Sequence, residues 1–204
     1  MYTKLHTLFV ALFAMLLLAP AASFAQGSPA ELRAMLEQRD ADIKAVLDGN
    51  ETLNEAQRTQ LKALINDDID FDAMGEAALG RQWKRLAADQ QTQFLSVFSE
   101  IIRTQSLKNL DPYRAAVTYG DINIDGSEAV VETTTTYKKV ETPVVYHMAF
   151  TNGTWRVTDI VLDDISTVAS YARSFQSLVR KRGFDALMTR LNEKLAEVQA
   201  EVAG

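Results

Sequence analysis

Between Asp111-Pro112 and Asp163-Asp164 the hydrophobic pattern leaves the helical period of about 3.6 residues, adopts the strand period of about 2, and then returns. Two dipeptides inside this segment, Asp125-Gly126 and Asn152-Gly153, readily take the left-handed backbone that a tight hairpin turn requires. They separate four strand-length runs: Ala116–Ile124, Glu128–Lys138, Pro143–Thr151 and Thr154–Leu162. Strands joined this tightly return antiparallel, so the segment predicts a four-stranded antiparallel meander. Alternation assigns Ala129, Val131, Tyr137, Val144, Tyr146, Met148, Phe150, Trp155 and Val157 to the inner face. Glu132, Thr134, Lys138 and Arg156 fall on the other face.

Helical signals flank the meander on both sides. Ser28-Pro29-Ala30-Glu31 reads as a capping box with proline at the first helical position, followed by Leu32, Met35, Leu36, Ile43, Val46 and Leu47. Thr52-Leu53-Asn54-Glu55 opens a second helix that ends near Asn66, and Asp70 or Asp72 caps a short third one carrying Phe71, Met74, Leu79 and Trp83. A fourth, from about Ala88 to Leu110, aligns Phe94, Val97, Phe98, Ile101 and Ile102. Beyond the strands, Val168, Tyr171, Phe175, Leu178 and Val179 form a stripe closed by Gly183, and a last helix holds Leu187, Leu191, Leu195 and Val198. Helices, then a meander, then helices is a segregated α+β arrangement, read as one domain over residues 26–204.

The first 25 residues read as an export signal. A basic start at Lys4 precedes an unbroken apolar run, Leu8–Leu18, and Ser23-Phe24-Ala25 supplies small residues for cleavage after Ala25. Eleven apolar residues are too few to span a bilayer, which needs about 20. The expected mature chain is therefore exported and soluble, and cleavage removes His6 and leaves His147 alone.

Charge and composition then exclude whole classes of function. The full chain has 21 Lys and Arg against 27 Asp and Glu, a net of −6; cleavage leaves twenty cations and a net of −7. A nucleic-acid binder needs a basic excess to neutralise phosphates, so no nucleic-acid partner is expected. The absence of cysteine removes disulfides, thiolate metal sites and cysteine nucleophiles. Asp68-Ile69-Asp70-Phe71-Asp72 opens like a calcium loop, but Ala73 stands where glycine is required and Leu79 where glutamate is required. It reads instead as an acidic helix start. One histidine, placed mid-strand with parity opposite to Tyr146 and Met148, cannot build a multi-histidine metal site. Neither a Gly-x-Ser-x-Gly elbow nor a phosphate-binding glycine loop is present. The chain is read as non-enzymatic, with no catalytic residue, metal or cofactor. Two rival readings stay open at this level. One is an interaction or chaperone module with a filled core, and the other an enzyme with a nuclear-transport-factor-like cone, for which Asp159 is the candidate acid.

The order of residues also resembles a known family. Phe71-Asp72-Ala73-Met74, Ala78-Leu79-Gly80-Arg81-Gln82-Trp83, Phe94 and Phe98 form one block. Tyr146, Gly153-Thr154-Trp155-Arg156-Val157-Thr158-Asp159-Ile160, Ser166, Tyr171, Phe175, Gly183 and Leu191 form a second. With these fixed spacings behind an export signal, the chain resembles the MlaC family, also called the toluene-tolerance family, from about Phe71 to Lys194. It departs from the usual pattern at Asp164-Ile165-Ser166, where Gly-Val-Ser is common, and at Ala172, where the residue after Tyr171 is often Arg.

The resemblance implies a periplasmic phospholipid carrier that shuttles lipid between an inner-membrane ABC complex and an outer-membrane lipoprotein–porin complex, so maintaining outer-membrane lipid asymmetry. It implies acyl chains held in an apolar pocket between a curved sheet and helices, with the headgroup left in water. Strand parity, helix stripes and the resemblance together nominate Leu79, Trp83, Phe94, Phe98, Val131, Tyr146, Met148, Phe150, Val157, Tyr171 and Phe175 as its lining. Arg173, Arg180, Lys181 and Arg182 are nominated for partner docking, with complementing a helix C-terminus as the alternative reading. The carrier is expected to be a monomer.

Overall fold

Local chemistry sets each helix start. The computed structural model describes residues 27–50 and 52–203, so the export signal and its cleavage site lie outside the described residues. Ser28 caps α1 (Pro29–Leu47) and exchanges hydrogen bonds with Glu31, which hold the Glu31 carboxyl below its usual range. The second capping box sits two residues later than the sequence suggested. Asn54, not Thr52, caps α2 (Glu55–Asn66), because Asn is at least as good a cap as Thr and Gln57 completes the reciprocal pair three residues on. Asp70 caps α3 (Phe71–Leu79), its carboxylate accepting from the Ala73 amide at 2.9 Å.

Two helices end earlier than their stripes implied. Gly80, at φ +55°, stops α3, so Trp83 stands in a 3-10 turn over Gly80–Arg85. Helix α4 (Ala88–Gln105) stops short of Leu110 because the chain tightens, with the amides of Leu107 and Lys108 donating to Thr104 and Gln105 three residues back. A further 3-10 turn, Asp111–Arg114, delivers the chain to the sheet. Helices α3 and α4 approach closely at Gly75, where a Cβ would stand 2.6 Å from a Leu95 methyl and 3.1 Å from the Phe94 ring.

The sheet contains β1 (Ala116–Asp125), β2 (Glu128–Tyr137), β3 (Val140–Thr151), β4 (Thr154–Leu162) and β5 (Ile165–Ser166), antiparallel in sequential order. It has five strands where the sequence predicted four. Asp163 and Asp164 both adopt positive φ and form a two-residue turn, which brings Ile165 back onto Leu162. Helices α5 (Thr167–Arg182) and α6 (Phe184–Ala203) follow.

Inner-face alternation holds where the register is regular. Ala129, Val131 and Thr133 of β2, Val144 and Met148 of β3, and Trp155 and Val157 of β4 are buried, while Glu132 and His147 are exposed. Bulges interrupt the register between Tyr119 and Ile122 of β1, and opposite His147 and Met148, where Thr158 is the extra residue of β4. Such bulges bend a strand and raise its twist.

The sheet edges are covered from a distance. Ile69 bridges β4 at Val157, with the Asp70 and Val157 amides donating to Val157 and Asp68, and Arg156 reaches the Asp67 carbonyl at 2.7 Å. On the other edge, Arg33 of α1 donates to the carbonyls of Tyr119 and Gly120 at the β1 bulge. The acidic run is thus anchored rather than merely solvated: Asp68 is half-buried and pairs with Arg39 at 2.8 Å. Among the described residues no helix is long and apolar enough to cross a membrane, and no cluster of acidic and histidine side chains could hold a metal.

Candidate functional site

Helices α3 and α5 pack against β4, α4 packs on α3 and α6, and the main core forms between these helices and the inner face of the sheet. All eleven nominated lining residues belong to this one cluster. Leu79, Phe94, Phe98, Val131, Met148, Val157 and Phe175 are buried, and Trp83, Tyr146, Phe150 and Tyr171 pack against them half-buried. Four aromatic rings form its centre. Phe94 and Phe98 stack at 5.4 Å, Phe175 meets them edge-on at 5.9 and 6.0 Å, and Tyr171 meets Phe98 edge-on at 5.2 Å. Trp83 reaches Phe94 from the 3-10 turn, and Phe150 meets Trp155 across the β3–β4 hairpin at 5.3 Å. A smaller cluster of Ile43, Val46, Leu47 and Leu61 joins α1 to α2, separate from this interior.

The inner face continues past the helices to solvent. Register places Leu162 opposite Val144 and Ile165 opposite Leu162, while Val140 shares the parity of Val144. These three are the exposed large hydrophobics of the described chain, at 63% for Val140, 60% for Ile165 and 47% for Leu162. They form an apolar lip at the end of the sheet where β3 begins. Both turns at that end, Lys138-Lys139 and Asp163-Asp164, hold charged residues at positive φ, a backbone that usually falls to Gly or Asn.

The bulge at Thr158 decides the role of Asp159. It pairs Asp159 with His147, on the face opposite Tyr146, and hands the inner position to Ile160. The Asp159 carboxylate instead organises the start of α5, accepting from the amides of Ile160 and Val168 and from the Ser166 hydroxyl. It acts as a helix-capping group here, on the face away from Tyr146. Asp159→Ala leaves those three donors without their acceptor, so the variant is expected to lose about 2 kcal/mol of stability in urea unfolding. A loss under about 0.5 kcal/mol would show that the junction has other support.

Tyrosines add polarity to an otherwise hydrocarbon interior. Burial pushes the phenols of Tyr119, Tyr146 and Tyr171 above the usual range, and the Tyr113 phenol up to about 12. Alternation gave no inner face for β1, because the bulge after Tyr119 resets its parity, so Tyr119 was missed from sequence. Its half-buried position, opposite Thr133 of the buried face, places it on the same wall as Tyr146.

The family model described as MlaC protein matches this chain over residues 37–193. The chain belongs to the MlaC family. It is 19% identical over 175 residues to the intermembrane phospholipid transport system binding protein MlaC of Haemophilus influenzae, spanning 80% of this chain and 82% of that protein. Among solved structures it resembles the phospholipid-binding protein of Ralstonia solanacearum, determined in complex with a phospholipid, with a TM-score of 0.69 and 21% identity over 81% of this chain and 97% of that one. The α+β fold read from the sequence is therefore the fold of a structure that holds a phospholipid.

In this MlaC-family chain the basic residues nominated for docking lie on α5, outside the aromatic cluster. Arg173 is exposed and donates to the Ser170 hydroxyl, and Arg180, Lys181 and Arg182 form the exposed last turn before Gly183. Arg180–Arg182 lie at the far end of α5 from the lip, since that helix of 16 residues is about 24 Å long at ~1.5 Å per residue. Two shallow clefts lie apart from both features. One of about 410 Å³ lies between α1 and α2, lined by Asp42, Val46, Gln57 and Leu64, and one of about 440 Å³ by Lys44, Leu47 and Arg114.

Proposed function

We propose that this chain is a periplasmic phospholipid carrier that takes up acyl chains between the inner face of its sheet and helices α3–α5. In the cell it shuttles lipid between an inner-membrane ABC complex and an outer-membrane lipoprotein–porin complex and so maintains outer-membrane lipid asymmetry. The observation that carries the reading is the convergence of all eleven lining residues, drawn from three helices, a 3-10 turn and three strands, into one apolar cluster. Family membership supports it, as do the name of the Haemophilus relative and the phospholipid held by the Ralstonia protein. The exposed lip of Val140, Leu162 and Ile165 shares the face of that interior, which is where acyl chains would enter.

Energetics favour a pocket over any site that grips lipid by its head. Two acyl chains of about 15 methylenes each would cost on the order of 24 kcal/mol to expose to water, at ~0.8 kcal/mol per methylene. Non-covalent affinities saturate near about −18 to −21 kcal/mol, so no water-exposed groove could hold the tails. An interior as apolar as the bilayer needs to supply little net affinity, and a small difference between donor and acceptor leaves release possible.

Native mass spectrometry of the chain purified under mild conditions tests the reading. A diacyl phospholipid in the spectrum supports a carrier, whereas an empty, tightly packed protein supports the interaction module. Docking has its own test. Reversing Arg180, Lys181 and Arg182 to Glu together is expected to slow transfer between purified donor and acceptor assemblies several-fold at low salt, and less at 0.5 M salt, where the Debye length falls to about 4 Å. Unchanged transfer by the folded, lipid-loaded triple variant would leave these side chains only the task of complementing the α5 C-terminus.

A further inference from the structure

In the main cluster the buried side chains are hydrocarbon, sulfur or ring, with few polar atoms among them, and the polar groups on the inner wall are therefore informative. Tyr146 stands on the inner face of β3, opposite Val131 of β2 and Ile160 of β4, with buried Val144 and Met148 two residues to either side. Tyr119 stands on the same wall, opposite Thr133. Thr133 lies between them, but its hydroxyl already donates to the Val144 carbonyl at 2.9 Å. The Arg33 guanidinium lies over the Tyr119 ring at 5.5 Å, and its N–H groups are engaged by the carbonyls of Tyr119 and Gly120. Among the described residues neither the Tyr146 nor the Tyr119 hydroxyl makes a hydrogen bond within the protein, and neither is sealed from the outside, so each is a donor open to an incoming acceptor. Both side chains are half-buried, so each keeps surface facing open space within its setting.

The electrostatics of the wall restrict what can satisfy these donors. Burial and the nearby Asp40 charge both push the Tyr146 and Tyr119 phenols upward, which keeps them protonated donors near neutral pH. Arg33 beside Tyr119 and Lys44 paired with Asp40 offset that charge, so it is the apolar surroundings that favour a neutral acceptor over an anionic phosphate oxygen, whose burial costs more. We propose that Tyr146, with Tyr119 beside it, donates a hydrogen bond to an ester carbonyl of the bound lipid, which makes this wall a selector for acyl-ester lipids over ether-linked or purely hydrocarbon ones. The inference rests on the carrier reading, since it names the part of the cargo that the wall recognises.

The test is competitive loading. The lipid-stripped full chain is offered an equimolar mixture of a diacyl phosphatidylethanolamine and its dialkyl-ether analogue with the same chain lengths, and the bound ratio is read by native mass spectrometry. An ester excess of about fivefold is expected for the unaltered chain, the weight of one neutral hydrogen bond. Tyr146→Phe is expected to bring the ratio to about one, whereas Tyr137→Phe, at the β2 tip, keeps the excess. Repeating the pair as diacylglycerol against dialkylglycerol removes the phosphate. A Tyr146-dependent excess that persists assigns the contact to the ester carbonyl; one that vanishes shows that the preference depends on the headgroup and overturns the inference. Equal binding of ester and ether lipids by the unaltered chain overturns it too and leaves the carrier reading intact. Failure to bind either lipid overturns both.

Discussion

Replacing Phe98 by alanine is expected to lower the unfolding free energy of the lipid-free chain by about 3–5 kcal/mol. Phe98 is 1% exposed, and its ring meets three others. It stacks on Phe94 with an interplanar angle of 9° and meets Tyr171 and Phe175 edge-on. Truncation removes the transfer free energy of the ring, and each lost aromatic contact adds about 0.5–1.5 kcal/mol beyond area. Against a total stability of about 5–15 kcal/mol for a domain, the remaining margin is narrow. Denaturant unfolding of the delipidated protein measures the effect, with an unchanged slope showing that the loss comes from the native state. A loss below about 1.5 kcal/mol would show that the rings are not tightly held in the free chain. A ligand that fills the same interior should then restore stability, by about 2.7 kcal/mol at a hundredfold excess over Kd.

The sequence revealed most where chemistry is local. Ser28 and Glu31 state the start of α1 within four residues, and Asn152-Gly153 states a hairpin turn within two. The alternation of β2 and β3 assigned Ala129, Val131, Val144 and Met148 correctly, because their pairing is unbroken over that stretch. Where the determinant lies far along the chain, the residues were silent. The Arg33 contact that covers the β1 edge crosses 87 positions, and the bridge from Ile69 to Val157 crosses a similar distance. Neither leaves a pattern in any short window.

Single-residue irregularities hid the rest. Thr158 is an ordinary strand former by type, yet as the extra residue it moves Asp159 off the inner wall and Ile160 onto it. Strand β5 is two residues long, too short to show a period, and depends on two aspartates accepting a left-handed backbone. The eleven nominated residues were easier to group than the strand boundaries were to place, because they are large and apolar on elements with long, regular stripes. Tyr119 escaped because a bulge follows it directly, and its role is visible only beside Thr133 and Tyr146 in three dimensions. The basic turn at Arg180–Arg182 was legible as charge, but charge alone does not name a partner.

Met148→Lys is expected to leave the chain folded at pH 7 and to reduce bound lipid at least tenfold. Met148 is 2% exposed on the inner face, between Ala129 of β2 and Val157 of β4. Lysine has a stem of similar length, so its methylenes can occupy the same path, and the difference is an ammonium placed among hydrocarbon. Burial disfavours the charged form and depresses the lysine pKa, by up to about 3–5 units in fully buried cases. At about 1.36 kcal/mol per unit, three units cost roughly 4 kcal/mol, which a domain of ordinary stability survives. Lipid retention has less margin, because its net affinity is a small difference between two apolar environments and one buried charge on the wall reverses the sign. A depressed pKa means that the penalty is largest below the folded pKa, where the group must stay charged, and fades as pH rises toward the unfolded value of about 10.4. The variant should therefore recover stability and part of its lipid load at pH 9, where the raised tyrosine phenols of the wall remain protonated. Far-UV dichroism reports folding, and the lipid-to-protein ratio in native mass spectra at pH 7 and pH 9 reports loading. A folded variant that carries a full lipid load at pH 7 would show that Met148 belongs to a sealed core and that the acyl chains run elsewhere.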